Sequence, residues 1–283
     1  MHKISIFFIL ISLFGYSQRS SYSPYSYFGV GETNFTATVE NQMMGGNTAY
    51  YDSVHQNMNN AASLAKLKFV NYSVGVDLKN TSYLSDSENE KSTAAAINYI
   101  SVAIPTNLLS FSFGIKPKTS VGYLLENDDK SRTPSELNRF TGSGGISNAF
   151  VSIGFELFKN WGLGVSSSYA FGNLNHYHIK ILEDVELYTR VASESSVSGL
   201  DYNFSSVYQK TFNEKITLYT SIVYQPEASY KSKNNQTIQT INPSGNFGGD
   251  FEQIDLDAKG LKNTNIKIPS SLSFGLGLGQ DKK

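Results

Sequence analysis

A two-residue periodicity, kept up on both sides of a short polar break, limits this chain more than any other feature. Ala149, Val151, Ile153, Phe155 and Leu157 fall on every second position, with Phe150, Ser152, Gly154, Glu156 and Phe158 between them. Lys159 and Asn160 interrupt the run. After Trp161 it resumes with Leu163, Val165, Ser167, Tyr169 and Phe171, set against Gly164, Ser166, Ser168, Ala170 and Gly172. Successive side chains of an extended backbone point to opposite faces, so each run carries one apolar face. Two such runs joined by a tight break predict a β-hairpin. The opposite face is mostly Gly, Ser and Ala, whereas a soluble sandwich strand usually turns polar side chains to water. The apolar row suits hydrocarbon and the small row suits a wide interior, the pattern of a transmembrane β-barrel.

The same alternation recurs along the chain. Tyr72, Val74, Val76 and Leu78 predict a first strand, and Ala94 to Ile104 a second of ambiguous facing. Leu109, Phe111, Phe113 and Ile115 predict a third, whose parity continues past Pro117 to Leu125. The hairpin gives the fourth and fifth strands. Tyr202, Phe204 and Tyr208 mark a sixth, Ile216 to Tyr224 a seventh, and Leu272 to Leu278 an eighth. The breaks near Asn107, Asn160 and Glu214 are short. Those at Asn80–Thr93, Glu126–Thr141, Asn175–Ser195 and Lys231–Asn263 read as long polar loops, the second-last able to extend its flanking strands. Short and long connections alternate, as in outer-membrane barrels. A barrel of only eight strands must be filled by its own side chains, and Gly164, Ser166, Ser168, Gly275 and Gly277 do not fill it. The expectation is therefore a wider barrel whose last strands lie beyond this sequence.

The chain starts with a basic pair, His2-Lys3, then an apolar run, Ile4 to Phe14, and the small-x-small triplet Gly15-Tyr16-Ser17. This reads as a signal peptide over 1–17, hence export; the run is too short for a spanning helix. Residues 18–67 lack a sustained period and are the right size for a plug, leaving 68–283 for barrel strands. Charged residues make up 17% of the 283 residues, below the usual quarter. Tyr and Phe number 18 each, an aromatic load that suits strands and interfacial girdles. The net charge of -1 offers no case for nucleic acid. With no cysteine, disulfide and thiolate chemistry are excluded.

Chemical constellations are weak, and no enzymatic activity and no cofactor are expected. His176 and His178 share a face if extended, without a carboxylate partner. Asp52, Ser53 and His55 are sequence neighbours without a nucleophile elbow. Gly142-Ser143-Gly144-Gly145 is not followed by the Lys of a phosphate loop. The acids of Asp250–Asp257 lack the spacing of a calcium loop. Two lysines stand out: Lys116 and Lys118 flank Pro117 and point inward on the parity of their strand. They either meet a substrate carboxylate or pair with a plug acid such as Glu32 or Glu40, since a buried charge needs a partner.

Three segments, Met43–Leu64, Ser23–Glu32 (SPYSYFGVGE) and Phe140–Val151 (FTGSGGISNAFV), together with the barrel pattern, resemble the FadL/TodX family in its Bacteroidetes aromatic-hydrocarbon or OMPP1-like branch. The resemblance implies a fourteen-stranded outer-membrane barrel with an N-terminal hatch, so that about eight of fourteen strands are present here. It implies passive uptake of long-chain fatty acids or aromatic hydrocarbons in the outer membrane of a Gram-negative bacterium. The partners would be outer-membrane lipid and a hydrophobic small-molecule ligand. The family's Asn-Pro-Ala motif falls on Asn60-Ala61-Ala62, where the Pro is replaced. Its third strand is kinked and opens the wall sideways; Gly114, Lys116, Pro117 and Lys118 occupy the matching strand. Proline removes a ladder hydrogen bond, so Pro117 marks a lateral gap, a simple bulge, or a turn. These seven residues are the candidate ligand and gating positions. The alternative function is a non-transporting barrel that docks exported proteins or a secretion complex.

Overall fold

A computed structural model describes residues 23–84, 89–131, 133–212 and 215–280. The signal peptide expected over 1–17 lies outside the described residues, as do residues 18–22 and Asn213-Glu214.

Among the described residues, twelve strands, all pairing antiparallel, make one curled sheet. They are β1 (Glu32–Thr33), β2 (Asn71–Leu84), β3 (Asn89–Pro105), β4 (Ser110–Asp129), β5 (Glu136–Phe158) and β6 (Trp161–Leu182). Then follow β7 (Tyr188–Phe212), β8 (Ile216–Gln225), β9 (Ala228–Ile241), β10 (Phe247–Gln253), β11 (Asn263–Ile268) and β12 (Ser271–Gln280). From β2 to β7 each strand pairs with the next. Beyond β7 the ladder divides. Phe204–Phe212 pairs with β8, and Tyr188–Ser198 pairs with β9. β12 continues on β8 in the register that β11 keeps on β9, Ser271 opposite Gln225 and Ile268 opposite Ala228. So β8 and β9 form one rod interrupted at Pro226, and β11 and β12 another interrupted at Pro269. Proline has no N–H to give the ladder.

The strands run far past the alternating rows. β5 has 23 residues and β7 has 25, roughly 75–83 Å at about 3.3 Å per residue. The polar stretches Asn80–Thr93, Glu126–Thr141, Asn175–Ser195 and Lys231–Asn263, expected as loops, are therefore mostly strand. Ladder hydrogen bonds need no apolar face. Where both faces are polar, the sequence shows no period to read.

One face carries the large apolar residues and leaves them exposed: Tyr72 is 78% exposed, Phe274 72%, and Val151, Val165 and Phe204 are exposed as well. No second sheet covers that row among the described residues. The other face holds the Gly, Ser and Ala row, and onto it packs the segment 23–67, with the short helix α1 (Val39–Met43) and 3-10 turns at Pro24–Tyr27 and Ala61–Lys66. This corrects the expectation of a small-lined hollow at the hairpin. A Cβ on Gly164 would land on Ala61 C and Ala62 N, and one on Gly154 on Ala61 O. Those glycines are small because another stretch of backbone lies against them. The same segment reaches across the curl: Thr48 bonds Ser221 of β8 while Gln56 bonds Ser101 of β3.

Candidate functional site

The polar chemistry gathers along the seam between segment 23–67 and the sheet. Asn60 is fully buried and caps the Ala61–Lys66 turn: its Oδ1 accepts from Ala62 N at 3.1 Å, and its Nδ2 donates to Thr48 O at 2.7 Å. Ala62 N also donates to Ser205 Oγ of β7 at 2.9 Å. Gln56 ties β3 to β4, donating to Ser101 Oγ at 2.6 Å and accepting from Ser112 Oγ at 2.8 Å. The Asn-Ala-Ala triplet is thus a capped turn pressed onto the glycines of β5 and β6.

Higher on the sheet the ladder between β3 and β4 ends. The two strands pair over Ile100–Pro105 and Ser110–Ile115 and no further, although β2 stays on β3, and β5 on β4, to their far ends. Each strand carries a bulge just past the last shared pair. Asn98 is the extra residue of β3 where Gly75 and Val76 face Tyr99 and Ile97. Lys118 is the extra residue of β4 where Ser147 and Ile146 face Pro117 and Thr119. A bulge bends its strand and re-aims a side chain. Two bulges at one height, with Pro117 between the lysines, bend β3 and β4 apart. A cavity of about 690 Å³ lies in the parting, lined by Ile97–Ile100, Lys116, Pro117, Thr119 and Gly142–Gly145 among others.

Segment 23–67 fills part of that space as a strand would. β1 pairs with β4, Glu32 opposite Ser120 and Thr33 opposite Thr119. Asn34 N donates to Lys118 O at 2.9 Å, Ser23 N to Gly122 O at 2.7 Å, and Thr36 Oγ1 to Pro117 O at 2.9 Å. Glu32 reaches Lys79 of β2 at 3.1 Å.

The lysines do not pair with Glu32 or Glu40. Lys118 Nζ donates to Asp201 Oδ2 of β7 at 2.8 Å, and the Tyr230 hydroxyl of β9 donates to the same oxygen. Lys116 Nζ donates to Asn59 Oδ1 at 3.2 Å and Met58 O at 3.4 Å. Glu40 instead lies 4.0 Å from His55. Ala61, Lys116, Pro117 and Lys118 share a second cavity of about 380 Å³ with Asn148 and Asp201. Asn60 and Ala62 do not line it, and Gly114 backs onto Ile100 O and Ser101. Parity reasoning missed Asp201 and Tyr230. The one available signal was an acid between Leu200 and Tyr202, inside an alternating row.

Elsewhere, His176 Nδ1 meets the Tyr123 hydroxyl at 2.7 Å, while His178 stacks on Phe140 at 4.4 Å between centroids. The two histidines serve separate contacts. Asp52 Oδ2 lies 2.7 Å from His55 Nδ1. That hydrogen bond holds His55 above its ordinary pKa, against some burial. Burial pushes the Asp52 carboxyl up, but hydrogen bonds from His55 and the Val54 amide outweigh it and hold it below the usual range.

No curated protein and no solved structure matches the chain. A family model described as BamG matches residues 1–283. This overturns the FadL/TodX resemblance, and with it uptake of fatty acids or aromatic hydrocarbons. The features behind that resemblance answer to general demands: an Asn cap, glycines beneath a close backbone, and apolar alternation suit any sheet with a segment packed on its small-residue face.

Proposed function

The chain belongs to the BamG family, and from that premise we propose that it serves the outer-membrane protein assembly (BAM) machinery as a non-enzymatic docking component. The family is one of the Gram-negative outer-membrane assembly machinery, so its place is the outer membrane or its vicinity. The whole-chain match carries the reading, and it favours the docking alternative over transport. In this reading the exposed apolar rows of β2, β5–β8 and β12 face hydrocarbon, and lipid is their partner. They extend over seven residues from Tyr72 to Leu78 and from Leu272 to Leu278, about 20–25 Å, the height of an outer-membrane apolar band. Segment 23–67 acts as a plug against the inner face. The polar ends of β5, β6, β7 and β9 stand outside as a broad surface for partners.

The test is purification of the tagged chain from its native membrane in mild detergent. The machinery's central barrel subunit should co-purify in fixed ratio, and depletion of the chain should lower outer-membrane protein levels. A chain that purifies alone, with those levels unchanged on depletion, overturns the reading.

A further inference from the structure

We propose that the parting between β3 and β4 is a slot for one extended, amphipathic polypeptide segment, and that the chain's own residues 23–36 keep its place. The proposal rests on the assembly reading only for the source of that segment, a strand of an outer-membrane protein in transit.

The walls of the slot are strand edges. Above Ile100 and Ile115 the facing edges of β3 and β4 no longer bond each other. A sheet edge offers a row of N–H and C=O groups, and an extended peptide satisfies them by adding a strand. The chain shows that this edge of β4 accepts one: β1 is laddered onto Thr119 and Ser120. Two buried polar side chains that line the slot have no partner, Asn98 Nδ2 and Thr119 Oγ1, at 4% and 6% exposure. A buried polar group without a partner is costly. Both await hydrogen bonds that an acyl chain does not have. The outer lip is apolar, with Ile97, Ile100 and Ile115 exposed. A segment in the slot therefore meets polar groups on its inner side and apolar surroundings on its outer side. An extended chain of alternating apolar and polar residues presents those two faces.

The placeholder is held more lightly than a strand of the wall. Its ladder with β4 is two residue pairs long, with single bonds from Ser23, Asn34 and Thr36 beside it, against a β5–β6 ladder running from Glu136–Leu182 to Phe158–Trp161. Gly31, at φ 95°, lies against Ser120 O and Val121, where a Cβ would collide. Its left-handed backbone lets the strap approach β4.

The chain has no cysteine, so a disulfide between Glu32→Cys and Ser120→Cys, which face each other across the ladder, would pin the strap and leave Asn98 and Thr119 in place. The full chain in lipid nanodiscs is incubated with a peptide of about twelve residues alternating Val or Leu with Thr or Ser. The peptide carries a photoreactive phenylalanine, and adducts are mapped by mass spectrometry. Adducts should concentrate on 96–100 and 116–122 in the reduced double variant. They should fall about tenfold on oxidation, and about as far with a peptide whose amides are N-methylated, because the backbone hydrogen bonds are lost. Gly31→Ala, which loosens the strap without lining the slot, should raise the yield. Yields indifferent to the disulfide and to N-methylation would overturn the proposal and leave a crevice for acyl chains. Co-purification of the unmodified chain with the machinery reports on the assembly reading separately: persisting beside an indifferent slot, it sinks the slot alone.

Discussion

The hairpins β5–β6 and β3–β4 are built from similar residues and end differently. In β5–β6 the apolar and small rows hold parity over 149–157 and 163–171, and the ladder runs from turn to tip with one irregularity, at Leu157 beside the turn. In β3–β4 six pairs form, and then Asn98 and Lys118 each add a residue and the strands part. On the unbroken side, segment 23–67 touches the sheet through alanines and glycines. On the parted side it touches through lysines, asparagines and backbone edges. A regular ladder gives a rigid wall, and polar groups concentrate where the regularity is broken on purpose. Bulges sit beside functional sites in sheets for the same reason.

The comparison breaks most readily at Asp201. Its replacement by Ala leaves Lys118, whose side chain is 21% exposed, without its carboxylate beside Tyr230; removing one partner of a fully buried pair costs about 3–5 kcal/mol, and the partial exposure of Lys118 puts the loss near the lower end of that range. Urea unfolding read by heat-dependent gel mobility measures it, and Lys118→Met in the same chain should recover most of the loss. Gly164→Ala strikes the unbroken side. Its Cβ meets Ala61 and Ala62 backbone, an overpacking cost of about 1–3 kcal/mol. Protease cutting within 50–67 should rise while the β3–β4 parting is unaffected. Asn60→Ala removes a cap and the bond to Thr48 O, for about 1–2 kcal/mol in the same assay. The smallest effect is pH-dependent. His55 is held above its ordinary value by Asp52, so its contribution is complete below that value and is lost as pH rises through the raised one. Asp52 is held low, so its share is lost only in acid. The protection of the Val54 and His55 amides, both donated to Asp52 Oδ1, should fall modestly from about pH 6 to pH 8 once the base-catalysed rise of intrinsic exchange is divided out. The change should vanish in His55→Gln.

Much of the wall was legible because two unlike faces impose parity: Val165, Tyr169 and Phe171 announce the apolar face by spacing alone, opposite a row of small residues that segment 23–67 covers. Pro117 left a lateral gap, a simple bulge and a turn open in the sequence; the structure has a bulge between Pro117 and Thr119, next to the point where the β3–β4 ladder ends. The outer strand ends were not legible. Lys231–Ile241 is polar on both faces, so nothing in its pattern separates strand from loop. The partner of Lys118 was hidden for another reason. Asp201 lies 83 residues away, and the bulge shifts the parity by which Lys118 was placed. The family was misjudged because glycine rows and an Asn cap reflect close backbone approach, which many sheets need.

Residue-resolved hydrogen exchange of the full chain in nanodiscs bears most directly on the parted wall. From Asn89 to Tyr99 the amides turned to β2 should exchange slowly and the alternate ones, turned toward β4, quickly, while β6 stays protected on both edges. Uniform slow exchange along β3, matching β6, would mean that β3 and β4 are closed to their tips and would contradict the account.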